Sequence, residues 1–200
     1  SSNSAKVIRT TKETIVDVEV DFDKKDKKIS SGLDFLDHMI ESLAWWACIS
    51  LGVNVQTVRK LTHTISEDAG ITFGQALRAI LEKRMNEYGV NGFGSGSAAL
   101  DEALSTSTIV VEGRRNAFIR FLCEGAKVKV VEDVRSTDLV AFIEGLSQGL
   151  GATLHVDLMH GKDPHHVWET AFRAVGLAIS GAFQHSEWRK GSTVGVKGIL

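Results

Sequence analysis

This chain has little proline and cysteine, and almost no net charge. One proline stands against 19 glycines in 200 residues, so long unstructured linkers and disordered tails are not expected. A formal net charge of −2 gives no basic field of the kind that binds nucleic acid. No apolar run approaches the roughly 20 residues that span a bilayer. We therefore expect a cytoplasmic globular protein that binds neither nucleic acid nor a membrane.

The cysteines and the adjacent tryptophans give no indication of function. Cys48 and Cys123 lie in apolar or strand-like contexts without the spacing of a zinc or disulfide pair, which predicts buried thiols. Trp45 and Trp46 are interpreted as core or interface aromatics rather than as a ligand cage.

The apolar pattern predicts alternating strands and helices in two successive halves. In the first half we expect a strand at 14–23, a charged turn at 24–28, a helix at 32–49, a strand at 53–58 and a helix at 66–85. In the second half we expect paired strands at 107–113 and 117–124, a helix at 138–150, a strand at 153–159 and a helix from 165.

The two halves read as copies of one unit. Aligning the last helix with the helix that closes the first half places His63 on His165 and Glu67 on Glu169. A duplicated α/β unit explains this match, with residues 1–90 as the first repeat and 91–200 as the second. The glycine-rich segment at 89–98 matches no phosphate-binding motif and is interpreted as a flexible connection between them.

Histidine and glutamate recur four residues apart in both helices. Residues i and i+4 share a helix face, so His165 with Glu169, and His63 with Glu67, can each reach one metal ion. His166 points about 100° away from His165, which indicates either two metal sites or an interface where neighbouring chains contribute ligands.

The helix from 165 has a clear start signal. Asp163 can cap it, and Pro164 suits its first turn. Imidazole and carboxylate without thiolate fit manganese, zinc or iron. His38, His155 and His160 are further candidate ligands, although a lone histidine such as His160 is more often a surface residue.

The sequence of this chain resembles that of a known family. The segments "FLDHM", "EDAGITFGQAL", "LDEAL", "TLH" and "HHVWETAF" follow one another as in the imidazoleglycerol-phosphate dehydratases of histidine biosynthesis, and the resemblance covers nearly the whole chain. It implies an α/β (α+β) fold of duplicated ferredoxin-like βαβ half-units, with strands and helices packed in two layers. It also implies trimers that build a 24-subunit shell, with Mn²⁺ at two positions in active sites between subunits.

The resemblance implies a reaction and a set of site residues. The family dehydrates imidazoleglycerol phosphate to imidazoleacetol phosphate and holds the substrate ring as a metal-stabilised imidazolate. It assigns catalytic roles to Glu13, which would handle the departing hydroxyl, and to Glu169. It assigns phosphate contacts to Arg114, Arg173 and Lys197. The implied metal ligands are His38, His63, Glu67, His155, His165, His166 and Glu169.

Several positions depart from the family pattern, among them Leu61 and Thr62, where an acidic pair usually precedes the first motif. Thr64 replaces the second histidine of the first HHxxE motif, Ser42 replaces a substrate-contacting glutamine, and Gly92 replaces a phosphate-contacting arginine. Three hypotheses therefore stay open. The first is a carbon–oxygen lyase with a rebuilt phosphate pocket, and the second is a non-catalytic or repurposed metal-binding paralogue that still self-assembles. The third, which the changes at Ser42 and Gly92 permit, is a dehydratase that acts on another phosphorylated azole.

Overall fold

The computed structural model describes all 200 residues and contains two four-stranded sheets and four long helices. The strands are β1 (Ser4–Thr10), β2 (Thr14–Asp21), β3 (Lys27–Ser30), β4 (Ser50–Thr57), β5 (Phe93–Leu100), β6 (Ala103–Val110), β7 (Asn116–Phe121), β8 (Val130–Val131), β9 (Val134–Arg135) and β10 (Thr153–His160). The helices are α1 (Asp34–Ala47), α2 (Thr62–Glu87), α3 (Ser136–Leu150) and α4 (Pro164–Ala182). No helix is both long and apolar enough to cross a bilayer.

The two sheets share one topology. The first has the order β1-β2-β4-β3 and the second the order β5-β6-β10-β7, with one helix before and one after the last strand of each half. In each half, two helices cover one face of the sheet, and the two helical layers meet where α1 contacts α4 and α2 contacts α3. This arrangement confirms the mixed α/β fold of duplicated half-units.

Local sequence explains most of these elements. In β2, Val16, Val18 and Val20 are fully buried while the residues between them face outward, which is the alternation of a half-buried strand. One hydrophobic cluster of 47 buried residues runs through both halves. We therefore propose that residues 1–90 and 91–200 are two repeats within one domain.

The glycine-rich segment was predicted wrongly. Residues 93–100 form strand β5, which pairs with β6 along its whole length. A Cβ atom added at Gly94 would lie 2.7 Å from the Ala182 nitrogen and still closer to the Ala178 carbonyl oxygen. Glycine is therefore required because the strand lies directly against the backbone of α4, and not because the segment is a flexible connection.

Other expectations also need correction. The strands at 107–113 and 117–124 do not pair with each other, because β10 lies between β6 and β7. Strand β1 was not predicted, and the expected charged turn at 24–28 runs into β3. Cys48 is exposed and Cys123 is half-buried, so neither is a buried thiol. Trp45 and Trp46 are 60% and 38% exposed, which excludes the core and leaves an interface as the predicted place for them.

Candidate metal centre

Helix α4 begins where the sequence predicts. The Asp163 side chain accepts hydrogen bonds from the backbone N–H groups of His165 (2.8 Å) and His166 (3.3 Å), and Pro164 occupies the first helical position. The two histidines therefore lie on a rigid first turn. Their ring planes are 79° apart, so the rings face different surroundings, as helix geometry indicates.

Helix α1 brings His38 to the same place. The Nε2 atom of His38 lies 2.9 Å from Oε1 of Glu169, and the Nε2 atom of His165 lies 3.4 Å from the same oxygen. One ligand atom from each of these three residues falls within 4.8 Å of the others, and no other such group of three occurs in the chain. The i,i+4 spacing predicted His165 with Glu169, and the fold adds His38 from a distant helix.

Glu169 is buried and remains ionised. Burial raises the pKa of its carboxyl, but the Arg173 guanidinium, hydrogen-bonded to Oε2 at 2.5 Å, and the His38 ring outweigh this effect. The net result is a lowered pKa. One carboxylate oxygen thus pairs with Arg173, while the other faces the two imidazoles.

Two further carboxylates face the Nδ1 atoms of His165 and His166. Oε1 of Glu132 lies 3.2 Å from Nδ1 of His165, and Oε1 of Glu102 lies 2.7 Å from Nδ1 of His166. An ionised carboxylate can only accept a hydrogen bond, so each Nδ1 carries the proton. The lone pair of each imidazole is then on Nε2, the nitrogen available to a metal.

The environment of Glu102 shifts two pKa values. Its other oxygen accepts the backbone N–H groups of Lys162 (2.8 Å) and Asp163 (3.0 Å). The Asp163 N–H, the His166 ring and the Lys162 N–H together lower the Glu102 pKa to about 2. The hydrogen bond to Glu102 in turn raises the pKa of His166.

The cluster of His38, His165 and Glu169 fits a divalent cation. The Nε2 atoms of His38 and His165 and an oxygen of Glu169 face one another, and a cation between them would replace the proton that His38 shares with Glu169. Imidazole and carboxylate ligands suit manganese, zinc or iron, and no thiolate is near enough to favour a structural zinc site.

The first histidine motif forms a second group. Nε2 of His63 lies 3.0 Å from Oε2 of Glu67, and both side chains are about half exposed. Glu67, Thr64 and Glu13 line one depression at the start of α2. The Thr14 hydroxyl donates a 2.6 Å hydrogen bond to Asp68, which ties the strand after Glu13 to the helix that carries Glu67.

His155 stands apart from both groups. It lies on the outward face of the second sheet, where its ring stacks on Phe118 with 4.9 Å between centroids. The seven implied ligands therefore fall in separate places within one chain. His160, at the exposed end of β10, is not part of the cluster.

The implied phosphate contacts differ in availability. Arg114 and Lys197 are exposed, whereas Arg173 is held by Glu169 and by the carbonyl oxygen of Ala99. Gly92 adopts a left-handed backbone (φ 72°), and a Cβ atom there would collide with Val194. A side chain at position 92 would therefore require this backbone to move.

Sequence reasoning missed the carboxylates Glu102 and Glu132 as partners of the histidines. Glu102 lies in the segment "LDEAL", but nothing in its spacing indicates contact with a residue 64 positions away. The arginine partner of Glu169 lies four residues after it, on the same helix face, and this spacing could have revealed the pair.

Comparison with known proteins supports one family. The family model described as imidazoleglycerol-phosphate dehydratase matches residues 31–179. Proteins with that name from Methylococcus capsulatus and Nitrosococcus oceani are 36% and 33% identical to this chain. The aligned regions cover 98% and 100% of both sequences, respectively.

Solved structures give the same result. A crystal structure of the Pyrococcus furiosus protein of this family is 30% identical, with a TM-score of 0.81, over 97% of this chain and 100% of that one. The Staphylococcus aureus imidazoleglycerol-phosphate dehydratase has a TM-score of 0.78 over 92% of this chain and 99% of that one; at 21% identity it supports the fold alone.

Proposed function

Because the chain belongs to the imidazoleglycerol-phosphate dehydratase family, we propose that it removes water from imidazoleglycerol phosphate to give imidazoleacetol phosphate. The observation that carries this proposal is the convergence of His38, His165 and Glu169 in a full-length family member. The reaction is a step of histidine biosynthesis, and the enzyme would act in the cytoplasm.

We propose Mn²⁺ as the cofactor. His38, His165 and Glu169 would hold one ion, and His166, His63, Glu67 and His155 would supply ligands to the centres that neighbouring chains complete. A bound divalent cation would act as a Lewis acid that favours the imidazolate form of the substrate ring. Arg173 keeps Glu169 ionised and fixes its orientation, so the carboxylate is ready to bind a cation.

Glu13 is proposed to transfer the proton that leaves with the hydroxyl group. Its backbone is held on both sides, since its N–H donates to the Thr11 hydroxyl and its carbonyl oxygen accepts from the Val58 N–H. The side chain is exposed and lines the depression that also contains Glu67 and Thr64. A carboxylate in this position can reach a substrate bound at the histidine motif of α2.

Cationic side chains would bind the phosphate. Arg114 and Lys197 are exposed and free to turn toward an anion, and Arg173 is the third proposed contact. The pairing of Arg173 with Glu169 means that a substrate phosphate would share this guanidinium with the carboxylate.

We propose that the active site is completed by self-association. His63 with Glu67, and His155, lie outside the cluster of His38, His165 and Glu169, so one chain does not gather all the implied ligands. The outward face around His155 also exposes Phe118, and an exposed aromatic there is typical of an interface. Native mass spectrometry should give three or 24 times the chain mass of 21.7 kDa.

The test is turnover of imidazoleglycerol phosphate by protein reconstituted with Mn²⁺. Wild-type protein should form imidazoleacetol phosphate, and Glu13→Gln should lose at least about 100-fold in rate, the usual contribution of a general acid or base. If Glu13→Gln kept the wild-type turnover rate, Glu13 would not be the residue that transfers the proton.

A second candidate is a metal-binding paralogue without dehydratase activity. Thr64 favours it, because a threonine hydroxyl is a poor manganese ligand, and so does Gly92, which offers no cation. Tight metal binding without any turnover in the same assay would support this candidate and contradict the first.

A further inference from the structure

The turn between β8 and β9 touches two of the helices that form the metal cluster. This turn consists of Glu132 and Asp133 and closes a two-stranded hairpin. Glu132 has a left-handed backbone (φ 52°), and its side chain reaches the ring of His165 on α4. Asp133 reaches the first turn of α1. The two carboxylates therefore contact different helices from one short segment.

Asp133 fixes the start of α1. Its Oδ2 accepts the backbone N–H of Asp34 (2.8 Å) and its Oδ1 accepts that of Phe35 (2.9 Å). Leu33, at the cap position of α1, makes no side-chain capping bond, so Asp133 supplies the cap from 98 residues away. His38 follows one helical turn after Asp34, and its position therefore depends on where this first turn is held.

Glu132 fixes the ring of His165. Its Oε1 accepts from Nδ1, which holds the proton on that nitrogen and leaves Nε2 facing Glu169. Phe35 packs edge-on against the same ring, with 5.0 Å between centroids. Phe35, whose backbone N–H is held by Asp133, is thus in contact with His165, whose ring is oriented by Glu132.

The hairpin itself is anchored. Val131 and Val134, which pair directly across it, are 2% and 3% exposed and belong to the hydrophobic core. After β9 the chain enters α3 at once, and the Arg135 N–H donates to Asp138 in the first turn of that helix. The turn therefore projects from a fixed base, as a rigid support for ligands requires.

We propose that Glu132 and Asp133 form a clamp that positions His38 and His165 around Glu169 before the metal binds. Neither residue is a proposed metal ligand, and the proposal rests on metal binding at the cluster. Such carboxylate partners typically change metal affinity by about 10- to 100-fold. The clamp therefore predicts weaker metal binding without loss of the fold.

The test is the dissociation constant of Mn²⁺, measured by calorimetry on the full-length assembled protein. Glu132→Ala should raise it about 10- to 100-fold, and Glu132→Gln, whose amide oxygen still accepts, should raise it less. Glu132→Gly should raise the dissociation constant as much as Glu132→Ala does. Because glycine adopts the left-handed backbone without strain, equal values would show that the lost carboxylate, and not a change in backbone strain, weakens metal binding. Asp133→Asn, which loses one of two acceptors, should also weaken binding.

The matched control is Glu187→Gln. Glu187 also pairs with a histidine, His185, at 3.3 Å, but it lies outside the cluster and should leave Mn²⁺ affinity unchanged. The visible spectrum of bound Co²⁺ reports ligand geometry, and it should change in Glu132→Ala but not in Glu187→Gln. The melting temperature of each metal-free variant identifies any that fail to fold.

Two results would overturn the clamp. If folded Glu132→Ala and Glu132→Gly bind Mn²⁺ as tightly as wild type, with the same Co²⁺ spectrum, the clamp fails while the proposed dehydratase stands. If the wild-type protein binds no divalent metal, the clamp and the proposed metal-dependent function fail together.

Discussion

At the scale of single residues, the best-supported pair is Glu169 with Arg173. Glu169 is 6% exposed, and replacing its carboxylate leaves a largely buried guanidinium without its charged partner. We predict that Glu169→Gln lowers the free energy of unfolding of the metal-free protein by about 1.5–3 kcal/mol, the usual contribution of a hydrogen bond to a charged group. Chemical denaturation in the presence of a chelator measures this change.

The equivalent glutamate in the first repeat is a matched control. Glu67 is about half exposed and has no arginine partner, so Glu67→Gln should change the metal-free stability by no more than about 0.5 kcal/mol. If both variants lost the same free energy of unfolding, the burial of Glu169 and its pairing with Arg173 would not contribute to stability as proposed.

The Glu102–His166 pair predicts a pH dependence. The pKa of Glu102 is lowered from 4.5 to about 2, so its contribution to stability is present above pH 4.5 and is lost as the pH falls toward 2. The pKa of His166 is raised from 6.5, so its contribution is present below pH 6.5 and is lost as the pH rises through the folded-state value. Both contributions to stability are fully present only between about pH 4.5 and pH 6.5.

We therefore predict that Glu102→Gln lowers the melting temperature of the metal-free protein most between about pH 4.5 and 6.5. The difference from wild type should narrow at lower and at higher pH. Thermal unfolding across the pH range measures it, with Glu124→Gln, an exposed glutamate outside the cluster, as the reference. A difference that does not vary with pH would contradict the assigned ion pair.

Sequence spacing revealed part of the candidate site and could not reveal the rest. The i,i+4 rule placed His165 with Glu169 and His63 with Glu67, because both members of each pair lie on one helix. The carboxylates that orient His165 and His166 come from turns 33 and 64 residues away. Only the tertiary fold brings these groups into contact, and no local pattern encodes that approach.

At the scale of secondary-structure elements, the approach of α2 to α3 depends on glycine. A Cβ atom at Gly74 would lie 2.6 Å from the carbonyl oxygen of Leu146 and 2.6 Å from the nitrogen of Leu150. We predict that Gly74→Ala destabilises the protein by about 1–3 kcal/mol, because the two helices must separate. The free energy of unfolding, measured by chemical denaturation, tests this.

Gly52 provides the control for that substitution. In β4 an added Cβ atom would meet nothing closer than 3.9 Å, so Gly52→Ala should be neutral or slightly stabilising. A loss at Gly52 as large as that at Gly74 would show that the close approach of α2 and α3 does not account for the cost at Gly74.

The elements themselves were predictable where burial alternates. The valines of β2 and the i,i+4 apolar residues of α1 gave periodic signals that matched the structure. Strand β5 gave none, because Gly94 and Gly96 stand where it packs against α4 and so supply no apolar side chains to the pattern. The pairing of β7 with β10, in place of β6, depends on contacts that are distant in sequence.

At the scale of the whole molecule, the separate groups of implied ligands predict that one chain is insufficient. The cluster of His38, His165 and Glu169 lies on α1 and α4, while His63 and Glu67 lie on α2 and His155 lies on an outward sheet face. If neighbouring chains complete each site, a chain defective in one group can be complemented by a chain defective in another.

The most direct measurement of the central claim is therefore dehydratase activity in mixed assemblies. Glu169→Ala and His63→Ala chains, each reconstituted with Mn²⁺, should be inactive alone. Co-expression should restore turnover of imidazoleglycerol phosphate, because some sites would then receive an intact cluster from one chain and an intact His63 from another. Inactive mixed assemblies, alongside an active wild type, would contradict a metal site built between chains.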